Sequence, residues 1–199
     1  MSKHHKEEIE CPHCHHKGEF DLWESVNVDL DPELREQVLN YRLFVWTCPK
    51  CESHVILPYD TLYHDMKHRF MLFFSYEFNG EEADKYAPMK MPKEFFMDGY
   101  THRIVYGLKR LKEKILILEE GLNDVAVERM KFMISHIVVP EITEKGYELF
   151  FYQVDRTDEV SEYGAIFFVY HDQERDEEMV IRFAMDLSLI HISEPTRPY

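Results

Sequence analysis

The chain has 199 residues, of which 45% are hydrophobic and 14% aromatic, so it can bury the core of one domain or two small ones and is not a disordered chain. Its formal net charge is -15, and residues 101–139 as a whole reach only +2. That disfavours a protein that neutralises nucleic-acid phosphates with a basic face. Apolar runs such as Phe70–Phe74 and Ile166–Tyr170 fall well short of the roughly 20 residues of a membrane helix. The polar start, Met1 to Glu8, leads into no apolar segment, so a cytoplasmic protein without a secretory signal is expected.

The first motif is Cys11-Pro-His-Cys14. After it, Glu19–Val28 alternates apolar and polar side chains as a strand does, with Phe20, Leu22, Val26 and Val28 as its apolar positions. Asp31-Pro32-Glu33 signals a helix start, with Asp31 as the cap, and the helix is predicted to run to about Asn40. Tyr41–Thr47 reads as a strand entering Cys48-Pro-Lys-Cys51, and Ser53–Tyr59 as one leaving it. Residues 9–78 are thus expected to form a zinc ribbon of antiparallel strands with a helix inserted between its halves.

Leu62–Met66 precedes an aromatic strand, Phe70–Phe78, and the acidic stretch Gly80–Pro92, with two prolines, reads as a loop. Tyr100–Glu120 has helical periodicity: Ile104, Val105, Leu108, Leu111, Ile115 and Leu118 share a face, while Lys109, Lys112, Glu113 and Lys114 lie largely off it. Gly121 stops it, Asn123-Asp124 caps a second helix with Val127, Met130, Ile134, Ile137 and Val138 as its stripe, and Pro140 ends that one. The pair predicts an antiparallel helical hairpin over 100–139. Glu148–Asp155, Gly164–His171 and Met179–Ala184 read as three antiparallel strands of a partial β unit over 140–186. The fold class is α+β.

Leu187–Arg197, Leu-Ser-Leu-Ile-His-Ile-Ser-Glu-Pro-Thr-Arg, resembles residue for residue the in-frame translation of a transposase-based sequencing-library adapter. Residues 187–199 are therefore expected to be an adapter artefact and the native chain to continue past Asp186, so His191 is given no role.

The two Cys-Pro-x-Cys pairs, 33 residues apart, hold all four cysteines of the chain. Each such turn aims backbone N–H groups at the sulfurs and brings two thiolates to one point. Two of them make the tetrahedral four-sulfur site that zinc prefers. The predicted ligands are Cys11, Cys14, Cys48 and Cys51, and the predicted cofactor is a structural Zn2+. A thiol–disulfide centre uses a single Cys-x-x-Cys at a helix N-terminus, and an iron–sulfur cluster is a further rival for four cysteines, but paired Cys-Pro-x-Cys turns favour zinc. His13, His15, His16 and His54 crowd the turns, yet four sulfurs already fill the site.

Catalytic patterns are sparse. There is no phosphate-cradling glycine loop, no Gly-x-Ser-x-Gly and no His-Glu-x-x-His, and the cysteines are committed to metal. The best remaining candidate is Tyr63-His64-Asp65, with His68 one turn on if the segment is helical. The competing reading is a turn in which Asp65 bonds backbone and Tyr63 packs on the ribbon. No catalytic or cofactor-binding residue is assigned.

Cys11-Pro-His-Cys14, Ser25-Val-Asn-Val28, Asp31-Pro-Glu-Leu34, Phe44-Val-Trp-Thr-Cys-Pro-Lys-Cys51, Tyr63-His-Asp-Met66 and Lys114-Ile-Leu-Ile through Gly121-Leu-Asn-Asp124 follow in an order that resembles the CpXC family, over about residues 9 to 138. The resemblance implies a zinc-ribbon fold for residues 1–139 and carries no activity with it. One departure is that many such knuckles place Gly directly after the second cysteine, where this chain has His15 and Glu52, with Gly18 nearby as a source of flexibility. The function expected from the residues is a protein-interaction module with a protein partner, no nucleic acid and no membrane. The alternatives are a nucleic-acid-binding ribbon using the Lys109–Lys114 segment, or an enzyme completed by residues beyond Asp186.

Overall fold

The protein is described here from a computed structural model, which covers residues 2–76, 97–157 and 163–185. It is mixed α+β and divides into two compact units, Met1–Lys112 and Glu113–Tyr199.

The first unit holds a five-stranded sheet built from β1 (Lys3–Glu10), β2 (Lys17–Asn27), β5 (Thr61–Asp65), β6 (Phe70–Phe74) and β7 (Thr101–Val105), in the order β1-β2-β5-β6-β7. β1–β2 and β5–β6 are antiparallel, whereas β2–β5 and β6–β7 are parallel, with Val26 opposite Tyr63 and Leu72 opposite Arg103. Alternation buries Thr61, Tyr63 and Asp65 on one face of β5 and leaves Leu62 and His64 half-buried on the other. Tyr63 stacks on Phe70 at 5.9 Å, and Phe44, Phe70, Leu72 and Phe74 are buried beside them. The expected loop over Gly80–Pro92, and the end of the Phe70–Phe78 strand, lie outside the described residues.

Helix α1 spans Glu33–Leu39 and buries Leu34, Val38 and Leu39. Pro32, not Asp31, stands at its N-cap, and no side chain caps it. The strand expected over Tyr41–Thr47 is shortened to β3 (Val45–Thr47), which pairs antiparallel with β4 (His54–Ile56). The reason is local: Asn40 Oδ1 accepts from the Arg42 amide at 3.2 Å, Tyr41 takes φ 64°, and Arg42–Phe44 winds into a 3-10 turn. β1 was not anticipated, because its side chains carry no alternation: seven of its eight residues are exposed.

The long helix expected over Tyr100–Glu120 is corrected to a strand, β7, followed by α2 (Leu108–Glu119). Gly107, at φ 77°, breaks the helical path. Upstream of it Val105 is buried and Ile104 exposed, the alternation of a strand lying parallel to β6.

In the second unit, α3 (Asp124–Met133) begins at Asn123, whose Oδ1 accepts from the Ala126 amide at 3.0 Å, the predicted cap. Val127, Met130 and Ile134 of the predicted stripe are buried, but Ile137 and Val138 are 70% and 52% exposed. Residues Ile134–Val138 form a π-helical turn, and its extra residue rotates the following side chains off the buried face. Pro140 does not simply end the helix; it opens a short α4 (Glu141–Glu144). β8 (Phe150–Asp155), β9 (Ala165–Asp172) and β10 (Glu177–Ala184) form the expected antiparallel sheet, in the order β10-β9-β8. Gly164 is required there, since a Cβ would stand 2.3 Å from the Asp155 carbonyl oxygen at φ 89°. Ile117, Val127, Met130, Ile142, Phe151 and Phe168 are among the residues of the core of this unit.

Glu113 was expected off the apolar face and is instead buried. Both its oxygens meet Lys131 Nζ, at 2.8 and 2.9 Å, and Oε1 accepts from the Phe151 amide at 2.6 Å. Burial raises its carboxyl pKa, while Lys131 and the Phe151 amide oppose the shift.

Candidate metal centre

The two Cys-Pro-x-Cys segments fold alike because the same backbone bonds close both. The His15 amide donates to the Cys11 carbonyl and the Cys11 amide to the His16 carbonyl, each at 2.9 Å. The Glu52 amide donates to the Cys48 carbonyl and the Cys48 amide to the Ser53 carbonyl, again at 2.9 Å. His15 and Glu52 reach this geometry at φ 55° and 57°, in the left-handed region. Gly18 does not supply the flexibility expected of it. It lies within β2, and a Cβ there would stand 2.7 Å from Cζ2 of Trp46, so glycine is needed to admit the indole ring.

The ring sits in a small apolar cluster with Phe20, Cys11 and Cys48, and Trp46 Nε1 donates to the Glu19 carbonyl at 3.1 Å. β3 and β4 carry the second knuckle at their connection, and β1 and β2 carry the first. The four sulfurs converge: all lie within 4.8 Å of one another, with Cys11–Cys51 and Cys14–Cys48 each 3.6 Å apart. All four cysteines are free; Cys11 and Cys48 are buried, Cys14 is partly buried and Cys51 exposed. A tetrahedron with metal–sulfur bonds of about 2.3 Å has edges of about 3.8 Å, so this donor set fits one metal ion.

The thiols are electrically unequal. The Ser53 hydroxyl, 3.4 Å from Cys11 Sγ, leads the interactions that lower the Cys11 pKa to about 5, helped by the Cys14 and His13 amides and opposed by burial. Cys51 is also lowered, by the same hydroxyl at 3.1 Å and then by the Ser53 amide. At Cys14 the His16 amide favours the thiolate, but burial and the sulfurs of Cys51, Cys48 and Cys11 together push its pKa up to about 12. Such a cluster is part thiolate and part thiol, and a cation entering it displaces the remaining protons.

None of the four nearby histidines joins this group among the described residues. His15 Nδ1 pairs with Glu10 at 2.9 Å, and His54 Nδ1 lies 2.9 Å from Thr47 Oγ1. Ser53 was not singled out in the sequence. Its only signal is a hydroxyl two residues past the second cysteine of a knuckle, a common enough placement to pass unnoticed.

His64 and Asp65 do not form a dyad. They lie on a strand and so face opposite sides of the sheet. Asp65 turns to His68 instead, accepting from its amide and meeting its Nδ1, both at 2.7 Å. His64 Nδ1 lies 3.3 Å from Asn27 Nδ2, and its Nε2 is buried with no hydrogen-bond partner among the described residues. Of the basic segment, Lys114 meets Asp124 and Glu128, both at 3.3 Å, Lys112 lies over the Tyr41 ring, and Arg110 over Tyr106. No helix among the described residues is long and apolar enough to cross a membrane.

Twin Cys-Pro-x-Cys turns converging four free sulfurs within reach of one ion define a two-knuckle, metal-competent protein. The family described as CpXC protein matches residues 9–131, and the chain belongs to that family. No curated protein and no solved structure matches it.

Proposed function

We propose that Cys11, Cys14, Cys48 and Cys51 hold one structural zinc ion, and that the zinc ribbon so formed serves as a cytoplasmic protein-interaction module. The observation that supports this is the donor set itself: four sulfurs, all from paired turns, with no carboxylate or imidazole among them. Zinc held by four thiolates is coordinatively full, so the ion supplies a cross-link between the knuckles rather than an open position for an activated water. Cys11 and Cys48 anchor that cross-link in the cluster around Trp46, and Cys14 and Cys51 close it from the outside. The partner expected is a protein, because the net charge of -15 repels phosphate backbones and Lys114 is already engaged by two carboxylates.

Elemental analysis of the chain beside its Cys48→Ser/Cys51→Ser variant tests the reading. About one zinc per chain, lost in the variant together with the fold of the first unit, is the expected result. Iron in place of zinc, or no metal in freshly purified protein, would sink it.

A further inference from the structure

The two knuckles superimpose in sequence and in backbone bonding: Cys11 matches Cys48, Cys14 matches Cys51, His15 matches Glu52, and His16 matches Ser53. The next residue after the left-handed one is where their side chains diverge at the metal-competent cluster. Among the described residues the His16 side chain makes no bond to a sulfur, whereas Ser53 Oγ lies 3.1 Å from Cys51 Sγ and 3.4 Å from Cys11 Sγ. Among the described residues no other side-chain hydroxyl, amide or amine meets the four sulfurs.

Building on the zinc reading, we propose that Ser53 is a positioning residue that pins the Cys51 thiolate and sets how slowly the ion leaves. A hydroxyl has one proton to give. The shorter of its two sulfur contacts is to Cys51, which is also the exposed cysteine of the four, the sulfur that water, chelators and alkylating reagents meet first. Four thiolates on a dication leave two surplus negative charges. Backbone amides from the turns absorb part of that charge at Cys11, Cys14 and Cys51. The hydroxyl adds a donor at the one sulfur least shielded by protein. It withdraws electron density from that sulfur and holds it in one rotamer, which slows its attack on electrophiles. Losing outer-shell bonds of this kind typically costs 10–100-fold in metal affinity.

The test uses the full zinc-loaded chain as wild type, Ser53→Ala and Ser53→Thr. Zinc transfer to a chromophoric chelator is followed in time, and alkylation of the loaded protein by iodoacetamide is mapped by mass spectrometry. Ser53→Ala should release zinc about tenfold faster and be alkylated first at Cys51, and Ser53→Thr should restore both behaviours. Release at the wild-type rate from a fully loaded Ser53→Ala chain would overturn the proposal. So would even alkylation of all four cysteines, which marks general loosening of the fold. A wild-type chain that retains no zinc would overturn the zinc reading itself, and the role of Ser53 with it.

Discussion

His15 and Glu52 share one backbone conformation, each directly after the second cysteine of its knuckle, at φ 55° and 57°. Neither is a glycine, and an L-residue in the left-handed region costs about 1 kcal/mol relative to one that is free of the Cβ clash. Each knuckle therefore stores a little strain that the closing backbone bonds hold in place. Glu52→Gly is expected to stabilise the first unit by roughly 0.5–1 kcal/mol. His15→Gly should do slightly less well, because it also gives up an exposed pair with Glu10 that contributes at most a few tenths. A raised urea midpoint at unchanged m-value would bear this out; a lowered midpoint for Glu52→Gly would contradict it.

Gly18 is bounded by Trp46 rather than by its own dihedral angles. Gly18→Ala should displace the indole, break the bond from Nε1 to the Glu19 carbonyl, and cost about 1–3 kcal/mol through overpacking. Chemical denaturation gives the cost and Trp fluorescence the displacement. An unchanged emission maximum with full stability would show that the ring has room to move.

Glu113 is buried against a half-buried Lys131, so removing the lysine leaves the carboxylate desolvated and unpaired by it. Lys131→Met is expected to cost about 3–5 kcal/mol at pH 7. The pH dependence has a definite sign. Burial raises the Glu113 pKa above its ordinary 4.5, and loss of Lys131 raises it further. The native state then binds the proton more tightly than the unfolded state. The deficit of the variant relative to wild type should be small below about pH 4.5 and grow as pH rises through the folded pKa. Paired denaturation curves at pH 4 and pH 7 measure it, and equal deficits would mean the loss comes from packing alone.

His64 behaves in the opposite sense. Burial leads the interactions that depress its pKa below 6.5, with the nearby Asp29 and Asp65 opposing. The unfolded chain therefore takes up this proton first, so the stability contributed by neutral His64 is complete above about pH 6.5 and is lost as pH falls through the folded pKa. His64→Gln should flatten the stability profile between pH 7.5 and 5.5. Urea midpoints across that range decide the point, and a variant as acid-sensitive as wild type would assign the effect elsewhere.

The cysteine turns were legible because a Cys-Pro-x-Cys is a local object: its geometry depends on six residues and the two copies are alike. Asn123 as a helix cap and the three closing strands were legible for the same reason. Tyr100–Glu120 misled because Ile104, Val105, Leu108, Leu111 and Ile115 suit a helical stripe, and only the left-handed Gly107 and the partner strand β6 reveal two elements. Glu113 could not be placed, since a carboxylate beside lysines on a helix looks solvated until Lys131 and the Phe151 amide arrive from elsewhere. The π-turn at Ile134–Val138 leaves no periodic trace that distinguishes it from a straight continuation. Ser53 is near its cysteines in sequence, yet its approach to Cys11 depends on the second knuckle meeting the first.

β1 shows seven of its eight side chains to water and stands at the sheet margin, held to β2 by its ladder and by surface pairs such as Lys6–Glu19 and Lys17–Glu8. A strand with so little apolar surface under cover opens at low cost, ahead of the global unfolding of its sheet. It also leads directly into Cys11, one of the two buried sulfurs. The fraying of this margin is thus the clock for reagents that must reach that sulfur. Its rate will answer to ionic strength, because the exposed charge pairs along it are the contacts that dissolved salt weakens first.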